Sequence, residues 1–568
     1  MITQPSSNPS AHHWLLALHE DSNANATLFR DRKPIFAVAE GRLSRVKYAG
    51  GYPELAVQAC LDYAGISLDD IDVVVPGNRH HFLPRVTGSL LPDGEHDYFG
   101  GLHKAWLSVQ HMMSRGGGVA KATHAVSRMA LKRRFPKLGE IVDHHTAHAW
   151  SAYLTSGFDT ALAVTADNMG DGFSSKVFAC RGGRMEYQYG SSARHSPGQF
   201  YGEIAQLLGF HNLNAGKVTG LAAHGDPGPA YPLMREIFAL KPDKTGFVSQ
   251  DLWWRSKKRG PYAALAAMKP EDVAAACQKR FEDVLVEYVQ HAVRETGIDT
   301  VVMAGGCFAN VVANQKILHL PEVRRVFIHP AMNDQGISMG AGLGWLAENG
   351  GVDNQRLDSI YLGPSYDEEA IGQALEASGA QFERPKDLAL AAAEALASDK
   401  VVARYDGGLE YGPRALGNRT IMYAAHDPSV NTWLNAQLNR TEFMPFAPVT
   451  LAEEAANCYV DYAGAELAWR YMTITFGVTD RMKQQSPGVV HLDGTARPQV
   501  IHAEDNPGYH AIVSRYHQLT GVPTVVNTSF NMHGEPIVCT PSDALRAFEA
   551  SRLHRMVMGP FLVTRSEE

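Results

Sequence analysis

The chain has 568 residues, with 52 Lys and Arg against 60 Asp and Glu, a formal net charge of −8 at pH 7. That length exceeds what one hydrophobic core serves, so two or three domains are expected. The charge reads as mild and spread out, with no basic tract suited to a polyphosphate, which argues against a nucleic-acid partner. Six scattered cysteines (Cys60, Cys180, Cys277, Cys307, Cys458, Cys539) include no close pair for zinc or redox work, so free thiols in a reducing cytoplasm are expected. No uncharged run approaches the roughly 18 to 20 residues that span a bilayer, and Met1 to His13 lacks an apolar signal core. The reading is a cytoplasmic protein with no membrane partner.

In chain order, Trp14 to His19 is a strand, Glu20 to Asn23 a polar turn, and Ala24 to Arg30 and Pro34 to Glu40 two further strands. Pro53 opens a helix that stops at Gly65, and Ile71 to Val75 is a short apolar strand. Ala161 to Asp167 is a second apolar strand, Asn168 to Gly172 a tight turn, and Phe173 to Cys180 a strand, so the β-turn-β opening recurs and suggests two related halves. Pro270 to Gly297 is a long amphipathic helix and Thr300 to Ala304 a buried strand. The texture changes after Gly351. Residues 14–350 read as one α/β domain, 351–380 as a linker and 381–568 as a second, smaller domain.

His144 and His148 stand four residues apart, which stacks two imidazoles on one helix face as a metal pair. Asp334, on a loop before the small-residue helix start Gly336 to Gly342, is a plausible third ligand. Two histidines and a carboxylate suit a first-row divalent metal acting on an oxyanion. The turns His19 to Asn25 and Asp167 to Gly172, the latter including Gly170, present backbone N–H groups and acids at a sheet edge, as phosphate sites do. Gly305, Gly306 and Asn310 follow a buried strand and open a helix, a third edge of a nucleotide cleft. In the second domain, Arg414 and Arg419 lie in a Gly-rich turn, and Arg440 and Arg497 stand beside Thr and Pro; guanidinium forks match phosphate oxygens. Asn527, Ser529 and Asn531 add neutral hydrogen-bonding groups suited to a small amide, a ribose or a base.

These motifs, in order from Ala39 to Lys47 through Asp143 to His148, Gly216 to Ala222, Gly305 to Asn310, Asn333 to Gly336, Tyr411 to Thr420, Arg440 to Pro448, His491 to Arg497 and Asn527 to Val538, resemble the carbamoyltransferase family that modifies hydroxyl groups of antibiotics and signalling oligosaccharides. The resemblance implies an actin-like, sugar-kinase-like N-terminal domain, related to the threonylcarbamoyl-transferring proteins, and a smaller α+β C-terminal domain like their adenylate-forming YrdC partner. It implies that carbamoyl phosphate and ATP give carbamoyl adenylate in the C-terminal domain, which passes internally to a metal held by His144, His148 and Asp334. Iron(II) is the precedent, with Mn²⁺, Zn²⁺ or Mg²⁺ also suited to the ligands, and His145 is the rival ligand. Asp167, Gly305, Gly306 and Asn310 would surround the adenylate. Arg414, Arg419, Arg440, Arg497 and Asn527 to Asn531 would bind carbamoyl phosphate and ATP. No lysine stands near Asn439, so Arg440 carries that duty here. Asp226 or His19 is the candidate general base, and Lys217 belongs to the acceptor region. The acceptor is a small-molecule hydroxyl, with loops 80–118 and 247–268 setting specificity and a homodimer as the default assembly. A threonylcarbamoyl transferase acting on tRNA and a kinase of the same fold are the rival readings.

Overall fold

The computed structural model describes residues 12–79, 99–211, 214–251, 255–438 and 445–565. Its first sheet runs, edge to edge, Lys33–Ala39, Asn25–Arg30, Trp14–His19, Val73–Pro76. Trp14–His19 pairs antiparallel with Asn25–Arg30 and parallel with Val73–Pro76. The second sheet repeats that order with one more strand: Arg184–Ser192, Phe173–Arg181, Thr160–Gly170, Thr300–Ala304, Arg325–Ile328. Again the first strand of the hairpin pairs antiparallel on one side and parallel on the other. The recurrence expected from sequence is therefore a repeated sheet topology.

Both lead strands are apolar on both faces, as strands covered by helices on two sides must be. Trp14, Leu16 and Leu18 face a core shared with Val57, Cys60 and Leu61 of helix Glu54–Ala64, whereas Leu15 and Ala17 face one shared with Ala147 and Trp150. On the second lead strand, Ala161 and Ala163 join that same central core, while Leu162 and Val164 pack with Phe281 and Leu285 of helix Pro270–Thr296. Helix His144–Leu154 is thus held in a layer between the two sheets, beside helix Ile337–Glu348. The second helix can come this close because of its small residues. A Cβ on Gly340 would lie 1.8 Å from the Ala147 carbonyl oxygen, and one on Gly344 2.3 Å from the Trp150 ring.

Beyond residue 380 an eight-stranded mixed sheet runs from Gln381–Glu383 at one edge to Gln499–Ile501 at the other. Helices Leu388–Ala397 and Pro507–Thr520 pack together and share a core with its strands. The stretch read as a linker carries a helix, Glu368–Ser378, that packs on Pro541–Ala550 of the C-terminal side. A second difference concerns the turn read at Asn168 to Gly172. The strand continues to Gly170, and only Asp171 (φ 49°) and Gly172 (φ 89°) turn, a two-residue hairpin of the Asp-Gly kind.

Candidate functional site

Asp143 caps the helix that carries the histidine pair, accepting from the Thr146 amide at 3.0 Å, so His144 opens the first turn and His148 the second. Both rings are buried, and they meet two carboxylates. His148 Nε2 lies 3.2 Å from Asp167 Oδ2 and 3.5 Å from Asp334 Oδ1; His144 Nε2 lies 3.9 and 3.7 Å from the same atoms. One donor atom from each of the four residues falls within 4.8 Å of the others. His144 Nε2 and Asp334 Oδ1 are buried without a hydrogen-bond partner. Buried polar atoms are seldom left that way, and two imidazoles with two carboxylates are a suitable donor set for a divalent first-row ion. Burial alone would lower His144, but Asp167, Asp334 and Asp171 outweigh it and push the imidazole up to about 9. Burial would likewise raise Asp167, yet the two histidines hold it well below the usual carboxylate range.

Four chain segments converge here, and their supports are visible. The Asp167 carboxylate accepts from the Gly306 amide at 3.1 Å, Ser22 Oγ donates to Asp334 Oδ2 at 3.1 Å, and Asn25 Nδ2 donates to the Asp334 carbonyl at 2.8 Å. The turn His19 to Asn25, read as a phosphate edge, thus buttresses Asp334. Asp171 accepts from the His144 amide at 2.8 Å, and Lys176 Nζ donates to Asp143 at 2.6 Å, a buried ion pair under the helix start. Gly170 is required for a different reason from the one read in sequence: a Cβ there would lie 2.1 Å from the His144 ring. Gly305 (φ 105°) is needed because a Cβ would lie 2.2 Å from the Ala166 carbonyl oxygen.

Asp167, assigned to the adenylate, also belongs to the His–Asp cluster. His145 is no rival ligand, since Nδ1 pairs with Thr165 Oγ1 at 2.9 Å and Nε2 with the Phe173 carbonyl at 3.0 Å. The Asn310 side chain caps helix Val311–Leu318 and bonds Gln278, which occupies its amide. Arg419 is buried and donates to the Asp406, Gly407 and Asn418 carbonyls while stacking on Tyr405, so it shapes the turn instead of facing an anion. Asn527 bonds Thr420, Gln499 and the Ala415 carbonyl and also lines the cavity that holds Arg414 and Arg497. Asp226 is exposed and closes a turn onto the Gly228 amide at 2.9 Å, whereas His19 is buried with its ring 6.0 Å from that of His144. Lys217 begins the short helix Lys217–Ala222, half-buried. Arg440 lies outside the described residues.

The remaining anion-side residues come together. Glu410 Oε1 accepts from the amides of Leu416, Asn418 and Arg419, which curls the Gly-rich turn. Arg414 then lines a cavity of about 290 Å³ with Arg497, Ser529, Asn531 and Lys47. Burial lowers Arg414, and burial with Arg414 beside it drives Arg497 well down. Among the described residues neither guanidinium has a carboxylate within ion-pair distance. A second cavity of about 340 Å³ shares Lys47, Pro413, Arg414, Ser529 and Asn531 with the first and continues to Met332, Asn333 and Gln335, the loop that carries Asp334. One wall is an N-terminal segment fastened to the C-terminal domain: Arg42 donates to the Gly412 carbonyl at 2.9 Å, and Arg45 to those of Ile537 and Pro536 at 2.7 and 2.8 Å. Sequence reasoning had not singled out Lys47, Asp171 or Lys176. The motif Ala39 to Lys47 was the available signal for Lys47; nothing local marks the other two.

The fold and site define a class, an α/β protein with a buried two-histidine, two-aspartate centre and a cationic cavity whose neighbour reaches the loop that carries Asp334. A profile described as the carbamoyltransferase N-terminus matches residues 16–343, and one described as the carbamoyltransferase C-terminus matches residues 393–565. The nodulation protein NolNO of Sinorhizobium fredii is 31% identical over 555 residues, covering 95% of this chain and 78% of that one. NolO of Bradyrhizobium diazoefficiens is 32% identical over 435 residues, 75% of this chain and 79% of that one. The 3'-hydroxymethylcephem-O-carbamoyltransferase of Streptomyces clavuligerus is 28% identical over 355 residues, 61% of this chain and 64% of that one. The chain belongs to the carbamoyltransferase family.

Proposed function

We propose that the protein is an ATP-dependent O-carbamoyltransferase that makes carbamoyl adenylate in its C-terminal, YrdC-like domain and transfers the carbamoyl group to a small-molecule hydroxyl in its actin-like N-terminal domain. The observation that carries the proposal is the pair of adjoining cavities linking Arg414 and Arg497 to the Asp334 loop. In this reading carbamoyl phosphate releases phosphate to water, and an oxygen of the resulting carbamate attacks the α-phosphorus of ATP, with pyrophosphate leaving. Arg414 and Arg497, which have no carboxylate within ion-pair distance among the described residues, neutralise the phosphates and the charge that develops during transfer. The short route along the adjoining cavities to the loop that carries Asp334 would limit the mixed anhydride's contact with bulk water.

A divalent ion held by His144, His148, Asp167 and Asp334 would supply Lewis-acid polarisation of the adenylate oxygens. The chain's own part there is orientation. Asp171, Ser22, Asn25 and the Asp143–Lys176 pair fix the donor atoms, as supporting shells of such sites do. His19, buried against His144, is the better-placed candidate to receive the acceptor proton than the exposed Asp226.

The test is ATP–pyrophosphate exchange by the purified protein, with and without carbamoyl phosphate and with no acceptor. Exchange that depends on carbamoyl phosphate is the expected result. Absence of exchange, or conversion of ATP to ADP, overturns the proposal.

A further inference from the structure

Tyr411 belongs to the Gly-rich turn that carries Arg414, yet its side chain is buried in the central core that also holds Ala147 and Trp150 of the histidine helix. Its hydroxyl lies 3.1 Å from His329 Nε2. His329 Nδ1 lies 3.0 Å from Thr155 Oγ1, which donates to the Ser151 carbonyl at 2.6 Å. Ser151 Oγ donates to the His148 carbonyl at 2.8 Å. Tyr411, His329, Thr155, Ser151 and His148 are each at most 4% exposed.

The count of protons orders this chain. Thr155 has one hydroxyl proton and gives it to the Ser151 carbonyl, so its oxygen can only accept from His329. His329 therefore carries its proton on Nδ1, and Nε2 accepts from the Tyr411 hydroxyl. Burial, with His148 nearby, pushes His329 down to about 3, so the ring is neutral, as this order requires. Three hydrogen bonds thus run head to tail from the C-terminal domain to the last turn of the histidine helix, each polarising the next.

His329 also meets the other arm of the centre. It follows strand Arg325–Ile328 and begins the loop that carries Asp334. The turn that holds Tyr411 packs on that loop: Gly412 has φ 105°, and a Cβ there would lie 2.9 Å from the Pro330 carbonyl oxygen. At the loop's far end, a Cβ on Gly336 would lie 3.1 Å from the His329 ring. His329 is therefore tied to both elements that supply His148 and Asp334, and its partner Tyr411 stands three residues before Arg414.

We propose that Tyr411 is a positioning residue for the His–Asp centre: its hydroxyl orients His329, which holds the histidine helix through Thr155 and Ser151 and starts the Asp334 loop. The inference deepens the proposed two-site function and rests on it for its purpose. The turn that presents Arg414 to the phosphates then also sets the geometry at which transfer takes place.

The experiment is a titration of the full-length, chelator-stripped protein with Mn²⁺, read from the free-ion electron paramagnetic resonance signal, with His148→Ala locating the binding at the centre. Tyr411→Phe and Thr155→Val each remove one hydroxyl and keep the shape, and each should weaken Mn²⁺ binding about tenfold, the scale of supporting groups around a metal. Thr155→Ser keeps the hydroxyl and should stay within about twofold of the unaltered protein; the double variant Tyr411→Phe/Thr155→Val should be no weaker than either single one, because links in series fail together. Circular dichroism checks folding, and if Tyr411→Phe does not fold, the two Thr155 variants decide. Unchanged affinity in either folded single variant, equal loss in Thr155→Ser and Thr155→Val, a loss of about 100-fold in the double variant, or no His148-dependent Mn²⁺ binding each overturns the proposal. The titration needs no ATP, carbamoyl phosphate or acceptor, so failure of pyrophosphate exchange with this pattern intact would sink the proposed reaction and leave the positioning role standing.

Discussion

The His–Asp centre and the Arg414–Arg497 cavity are opposite solutions to burying charge. In the first, two carboxylates and two imidazoles face each other within 4.8 Å, and the carboxylates push His144 up while the imidazoles hold Asp167 down. In the second, two guanidiniums line one cavity, and burial lowers both. A cluster of two carboxylates and two imidazoles suits a cation, which takes the place of the proton that His144 holds; a cavity lined by guanidiniums suits an anion. Their separate places divide the proposed reaction into two half-reactions that mutation can uncouple.

The sharpest break in the comparison is His148→Ala. It should lower carbamoyl transfer to an acceptor by about 10³-fold while leaving pyrophosphate exchange near normal; loss of both activities together would show that the two regions are not separate stations. Conversely, Arg414→Met or Arg497→Met should cut exchange by about 10²-fold, and preformed carbamoyl adenylate should restore transfer. Stripping the protein with a chelator and then assaying it with Mg²⁺ restored for the nucleotide should reproduce the His148→Ala pattern, with recovery of transfer on adding back Fe²⁺, Mn²⁺ or Zn²⁺.

Two smaller effects test the supports. Lys176→Met leaves Asp143 buried without its cation under the histidine helix, and should cost about 3–5 kcal/mol in chemical denaturation. Asp226→Asn, which alters an exposed turn, should change transfer by less than about twofold, since surface substitutions of this kind have small effects. A large loss in Asp226→Asn would return that residue to the general-base role and weaken the case for His19.

Legibility from the sequence followed how local the signal was. The helix Pro270–Thr296 was plain because Pro at its start and Gly297 at its stop bracket one apolar stripe. His144 and His148 were plain because a single helix turn pairs them. Asp334 was reachable because a short acidic loop precedes a run of small residues. Asp167 was noticed, but not as a partner of the histidines: its place in the cluster depends on where a strand of the second sheet ends relative to a helix between the sheets. The arginines show the same limit. Arg414 and Arg419 share one turn, and only the curl imposed by Glu410 sends one guanidinium into the cavity and the other onto backbone carbonyls.

The sequence by itself determined the elements, the doubled β-turn-β plan, the histidine pair and the ordered motifs of the family, since each rests on contacts within a few residues or on pattern along the chain. Only the tertiary structure decided which glycines serve packing, which polar side chains are already consumed by protein partners, and that Asp167 faces His148. Those outcomes depend on close approaches between segments apart in the chain, from 19 residues for His148 with Asp167 to 139 for Gly306 with Asp167 and 309 for Asn25 with Asp334, and no local periodicity encodes them.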